Sequence, residues 1–163
     1  MPIRLFLLLC CLTCAMFPQA SPVWAQGALP AFDTYSNTKY GYFIDYPRGV
    51  FYPQGESDAG DGQVFRSPDN QAELRVFASF NVLDETLAAK FQESLVQPGL
   101  QPTYQVLRKN WFVVSGFWGG KVFYQKTFQA KDAFYTVMLV YNPANKAAYD
   151  PLVGPIVKSF RTE

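Results

Sequence analysis

The chain of 163 residues contains no histidine. That absence excludes Ser-His-Asp and Cys-His catalysis, ordinary zinc sites, and the side chain that most often acts as a base near neutral pH. Cysteine is almost as scarce. Its three copies, Cys10, Cys11 and Cys14, lie close to the N-terminus. Charge of one sign is also missing: 14 Lys and Arg face 13 Asp and Glu, for a formal net charge of +1. A near-neutral chain without basic runs gives no support for a nucleic-acid partner or a polybasic membrane surface. The apolar run at residues 5–16 is about half of the roughly 20 residues that a membrane-spanning helix needs.

What is present begins with an export signal. Arg4 supplies the positive start, residues 5–16 the short apolar stretch, and Val23-Trp24-Ala25 the small residues before a cut. Cleavage is expected between Ala25 and Gln26, placing the protein in the periplasm or outside the cell. An uncleaved anchor is the alternative, and the short apolar run counts against it. A lipoprotein signal fits poorly, because Thr13 and Leu9 precede the cysteines where a small residue is wanted. Removing Arg4 with residues 1–25 leaves 13 basic residues from the 14, against 13 acidic ones. It also removes every cysteine. An exported domain without disulfides must be held by its core alone. Nearly half the residues are apolar and 17% are aromatic, which suits one packed domain of this length.

The pattern along the chain predicts an α+β fold. Residues 26–38 read as a flexible lead-in, and residues 39–162 as a single domain. Residues 40–47 alternate as a half-buried strand, with Tyr42, Ile44 and Tyr46 on one side. Residues 50–53 suggest a short second strand. Residues 54–62, QGESDAGDG, read as a surface loop. Residues 63–67 and 72–81 form an expected hairpin. The spacing of Leu87, Ala88, Phe91 and Leu95 then predicts a helix capped by Asp84 and ended by Pro98-Gly99.

Residues 102–143 read as four successive strands. Their turns are expected at residues 108–110, at Gly119-Gly120 and at Lys131-Asp132. Gly-Gly suits the positive φ of a two-residue hairpin. With two-residue loops the register follows. Trp111, Val113, Ser115, Phe117, Tyr124, Lys126, Phe128, Tyr135, Val137 and Leu139 share face one. Phe112, Trp118, Lys121, Phe123, Gln125, Thr127, Phe134, Thr136, Met138 and Val140 share face two. Face one, the more continuously apolar, is expected to pack on the helices; face two is expected to be partly covered. A last helix is predicted from Asp150, with Pro151 in its first turn and a kink or fray at Pro155.

Three stretches carry a family resemblance: YSNTKYGYFIDYP at residues 35–47, SDAGDGQVFRSP at residues 57–68 and YDPLVGPIVKSF at residues 149–160. The chain resembles exported bacterial domains similar to the PsbP family, the extrinsic subunits of photosystem II. The resemblance implies an antiparallel β-sheet flanked by helices, an α/β/α sandwich. It also implies a non-catalytic accessory role, which is analogy from fold alone.

Three constellations are candidates for chemistry. Trp118, Phe112, Phe123 and Phe134 form an aromatic group on face two, suited to a glycan, peptide or protein partner; the plain alternative is core beneath a helix. Ser115 and Lys126 lie diagonally on face one, where a desolvated lysine could activate a serine; the alternative is a lysine that snorkels to the sheet edge. Glu56, Asp58 and Asp61 sit on a glycine-rich loop of the kind calcium uses, without EF-hand spacing; the alternative is a solvated turn. Ser36-Asn37-Thr38-Lys39 matches Ser-x-x-Lys but lacks its partner signatures. The sequence therefore predicts an exported non-catalytic accessory or binding domain with an envelope protein or glycan as partner. It predicts no nucleic acid, no membrane span after cleavage and no cofactor. A Ser-Lys hydrolase and a calcium-binding module are the alternatives.

Overall fold

The computed structural model describes residues 29–163, so the expected leader and cleavage site lie outside the described residues. A seven-stranded antiparallel sheet forms the body. Its strands are β3 (Tyr52–Glu56), β4 (Gly62–Arg66), β5 (Ala72–Phe80), β6 (Leu100–Leu107), β7 (Trp111–Trp118), β8 (Lys121–Ala130) and β9 (Ala133–Tyr141). They lie in the order β3-β4-β5-β9-β8-β7-β6. A second sheet has the order β1-β2-β10, from β1 (Phe32–Asn37), β2 (Tyr42–Pro47) and β10 (Arg161–Thr162). Among the described residues two α-helices complete the fold, α1 (Leu87–Leu95) and α2 (Lys146–Ser159). Among the described residues no helix is long and apolar enough to cross a membrane.

The register of the large sheet follows from its turns. Trp118 pairs with Lys121 across Gly119-Gly120, and Ala130 pairs with Ala133 across Lys131-Asp132. Both glycines of the first turn have positive φ, as a two-residue hairpin demands. Face one of the sheet then presents Val122, Tyr135, Val137, Leu139 and Tyr141 to one continuous core. The covering layer is Tyr42 and Ile44 of β2 together with Tyr149, Leu152, Ile156 and Val157 of α2. Phe160, just beyond α2, stacks on Phe128 at 4.6 Å. Face two builds a smaller core from Phe112, Val114, Phe123 and Phe134 beneath Leu87 and Phe91 of α1.

Several expectations change. Face one does not pack on both helices: α2 and the small sheet cover it, and α1 lies on the other side. Within the expected lead-in, residues 32–37 form β1, because β2 offers a free edge to pair with. β3 runs from Tyr52 to Glu56, later than residues 50–53; Val50 and Phe51 are instead buried in the core ahead of it. Thr86, not Asp84, caps α1, accepting from the Ala89 amide at 3.1 Å. Asp84 is held in a tight turn by Asn81, whose side chain bonds both the amide and the carbonyl of Glu85. α2 begins four residues before Asp150 and runs on through Pro151 and Pro155. The Lys146–Asp150 ion pair at 2.9 Å spans that added first turn.

Candidate functional site

α1 covers only part of face two. Beside it lies a cleft of about 300 Å³. Phe112 and Trp118 of β7, Phe123 of β8 and Phe134 of β9 all line it. The four aromatics singled out in the sequence are therefore brought to one place. They do not form an open platform: Phe112, Phe123 and Phe134 are buried, because α1 sits on them. Trp118 remains half-exposed at one end. Its ring meets Phe123 edge-on at 5.8 Å, and its Nε1 donates to the Pro98 carbonyl at 2.9 Å. That bond ties the end of β7 to the chain leaving α1.

The floor of the cleft is polar. Thr127 and Thr136 stand opposite each other on β8 and β9. Both are buried, and their hydroxyl oxygens are 3.0 Å apart. Gln125 donates from Nε2 to Thr127 Oγ1 at 3.1 Å. Lys90 and Glu93 of α1 stand at the rim and pair at 3.0 Å; Lys90 also reaches Glu85 at 2.9 Å. Those two bonds, Glu85 first, hold the Lys90 ammonium above its ordinary pKa. Sequence reasoning placed Thr127 and Thr136 on face two without assigning them a role. The signal was present: the two-residue turn at Lys131-Asp132 sets these threonines directly opposite. Phe77, exposed on the outward side of β5 beside Arg75, forms the outer wall.

A larger hollow of about 640 Å³ shares Trp118 with the cleft. It is lined by Arg66, Glu73, Arg75 and Lys121 among others. Burial pushes the Glu73 carboxyl up, but Arg75 and Arg66 outweigh it, so the group titrates below its ordinary range. Both guanidiniums are engaged by that one carboxylate. The smaller cleft is the better candidate because apolar walls with few polar groups characterise ligand sites.

The other two constellations are not assembled. Ser115 pairs with Tyr124 and Lys126 with Val113, so the two are diagonal as expected. The lysine turns the other way. Its Nζ lies 4.4 Å from the Trp111 ring centre and 4.7 Å from that of Phe128. These rings occupy the pair on the far side of Lys126 from Ser115, and no hydrogen bond joins the serine and the lysine. The attraction of an ammonium for two aromatic faces explains the turn. Burial holds the amine below its ordinary pKa.

The expected loop of residues 54–62 is shorter than read, because β3 extends to Glu56 and β4 begins at Gly62. Glu56, at the end of β3, accepts from the Tyr35 hydroxyl at 2.7 Å, and in the loop that follows the Asp61 carboxylate accepts from Ser57 Oγ. Lys39 and Asn37 donate to the Ala59 and Gly60 carbonyls at 2.7 and 3.1 Å. The loop is thus strapped to the β1–β2 hairpin. Among the described residues no three acidic side chains gather as a metal would need. The Tyr35 hydroxyl is pushed up to about 12 by burial, with Glu56 adding to the effect.

No protein-family model matches the chain, and no curated protein matches it. Solved structures do. The solution structure of cyanobacterial PsbP from Synechocystis matches with a TM-score of 0.62 at 17% identity, over 84% of this chain and 95% of that one. A structure from Bacteroides thetaiotaomicron matches at 0.48 and 10% identity, over 80% of this chain and 48% of its own. The chain has a PsbP-like fold: antiparallel sheet with two helices.

Proposed function

We propose that this chain is an exported, non-catalytic accessory domain that binds an envelope component through the aromatic cleft beside α1. The carrying observation is the partial cover of face two, which leaves Phe112, Trp118, Phe123 and Phe134 around a cleft where a second helix could have sealed it. Export is read from residues 1–25, with Gln26 as the first mature residue and the periplasm or the exterior as destination. The α/β/α arrangement belongs to the same reading: α1 on one face, α2 with the small sheet on the other. An accessory role accords with the PsbP-like fold, and fold alone does not set function. The calcium and Ser-Lys readings have no comparable support, since Glu56 and Asp61 are spent on neighbouring hydroxyls and Lys126 faces away from Ser115.

The test is site-specific photo-crosslinking in the native envelope. A photo-reactive residue at the rim position Gln97 is expected to form a discrete adduct. The same residue at Lys158, exposed on α2, is expected to form none. Equal labelling from the two positions, or none from either, would overturn the reading.

A further inference from the structure

The cleft floor holds more hydrogen-bond donors than its own groups use. Two threonine hydroxyls carry two hydrogens, and a single hydrogen can lie between their oxygens. Gln125 already donates into Thr127 Oγ1, so that side of the pair needs no further donor. With Gln125 Nε2 donating into the pair, whichever threonine donates to the other, the remaining O–H makes no hydrogen bond within the floor. Turning the amide over would let Thr127 donate to its oxygen and leave the amide N–H as the free donor instead. The floor therefore offers one donor in either orientation.

The walls limit what can meet that donor. Phe123, Phe134 and Trp118 present apolar ring surface. Lys90 and Glu93 are the charged residues of the lining, and they pair with each other. An ion brought into such a site would lose hydration and gain no counter-charge. The volume of about 300 Å³ lies at the small end of the range for pockets that hold one compact molecule.

We infer that the cleft takes a neutral, flat, apolar small molecule bearing a carbonyl group, whose oxygen accepts the spare hydrogen of the Thr127–Thr136–Gln125 floor while its ring lies against Phe123, Phe134 and Trp118. This rests on the cleft being the working surface, and it names the chemistry of the occupant.

The probes are acetanilide, which has a flat ring and a neutral amide carbonyl, isopropylbenzene, which has a similar shape without the carbonyl, and benzoate, which carries charge. Binding is followed by NMR on the isotope-labelled full chain expressed with its own leader. Acetanilide is expected to shift the signals of Thr127 and Thr136, and benzoate to leave them in place. The double variant Thr127→Val/Thr136→Val removes both hydroxyls at constant shape; the half-exposed Gln125 amide loses its threonine partner and turns to water in the cleft, so the cost to stability is small. It should weaken acetanilide on the order of fivefold to tenfold, the value of one hydrogen bond, and leave isopropylbenzene unchanged or tighter. Equal responses of the two probes, or shifts confined to other parts of the chain, overturn the inference. Should the variant not fold, contacts between the acetanilide methyl and the threonine γ-methyls in the unaltered chain decide the matter, and their absence counts against it. Crosslinking at Gln97 together with failure of every probe would leave the envelope-binding reading standing and remove the small-molecule pocket. Probe binding without any crosslink would do the reverse.

Discussion

The two faces of the large sheet share strands, twist and aromatic content, yet over β9 one is closed and the other is not; at its β7 end face one opens too, where Phe117 is exposed beside a hollow of about 350 Å³. On β9, Leu139 points into face one and is fully buried; its neighbour Met138 points into face two and is half-exposed. The cause is the size of what covers each side. Seven strands span roughly 29 Å across the hydrogen-bonding direction. A nine-residue helix is about 14 Å long and about 10 Å wide, so α1 cannot cover face two in any orientation. Face one receives a fourteen-residue helix and a three-stranded sheet. An alternating strand pattern thus sets which residues share a face. The lengths of the other elements decide whether that face becomes core or cleft.

The strongest way to break this comparison is to cut the same strand on both sides. Leu139→Ala should cost about 2–5 kcal/mol, as large-to-small changes do in a packed core. Met138→Ala should cost less than about 1 kcal/mol, since a half-exposed site leaves no sealed cavity. Urea melts of the two variants give both numbers. Equal losses would mean that face two is as closed as face one.

Gly62→Ala comes next and probes how tightly the outer strands are held. A Cβ at Gly62 would lie 2.0 Å from the Val76 carbonyl oxygen and 2.6 Å from Phe77 Cα. Both are backbone atoms and cannot turn aside. The expected loss is about 1–3 kcal/mol from overpacking, read by the same melts. A variant as stable as the parent would show that β4 moves freely against β5, and with it the outer wall of the cleft.

Trp118→Phe sharpens the comparison locally. The ring contact with Phe123 can be kept by phenylalanine, while the bond from Nε1 to the Pro98 carbonyl is lost. One such bond is worth about 1 kcal/mol. Hydrogen exchange should quicken at residues 96–100, where the chain leaves α1, and stay unchanged in β2 and α2. Uniform acceleration would show that the two faces form one cooperative unit.

Much of this was legible in the sequence, and the limits have physical causes. The register of β7, β8 and β9 could be read because Gly119-Gly120 and Lys131-Asp132 act as two-residue turns, and a turn is a local device. The four cleft aromatics could be grouped for the same reason. β1 was not legible, since FDTYSN is short and largely polar and gains its structure by pairing with β2. The start of α2 was misplaced because Asp150-Pro151 imitates a helix beginning. The choice of face for α1 rests on long-range packing, which no periodicity carries. The cleft depends on that choice, so its residues could be listed while its depth could not.

The smallest expected effect concerns Lys126, half-buried on face one. Its amine is partly buried, and no carboxylate pairs with it among the described ion pairs. The rings of Trp111 and Phe128 offset part of that burial. Its folded-state pKa lies below the unfolded value of about 10.4. The folded chain therefore binds fewer protons than the unfolded one in that window, and this group's contribution to stability rises with pH. Lys126→Met keeps the apolar stem and removes the charge. It should stabilise the protein by less than about 1 kcal/mol near neutral pH, within the range of weak, partly exposed charge effects. The gain should shrink as pH rises toward the unfolded value, where the lysine itself becomes neutral in both states. Subtracting the parent melt at each pH removes the alkaline loss due to the raised tyrosines, Tyr35 among them. A variant less stable than the parent at neutral pH would show that the two aromatic rings outweigh desolvation. Face one would then hold Lys126 as a favourable contact in its wall, and covering that part of the face would cost nothing at this position.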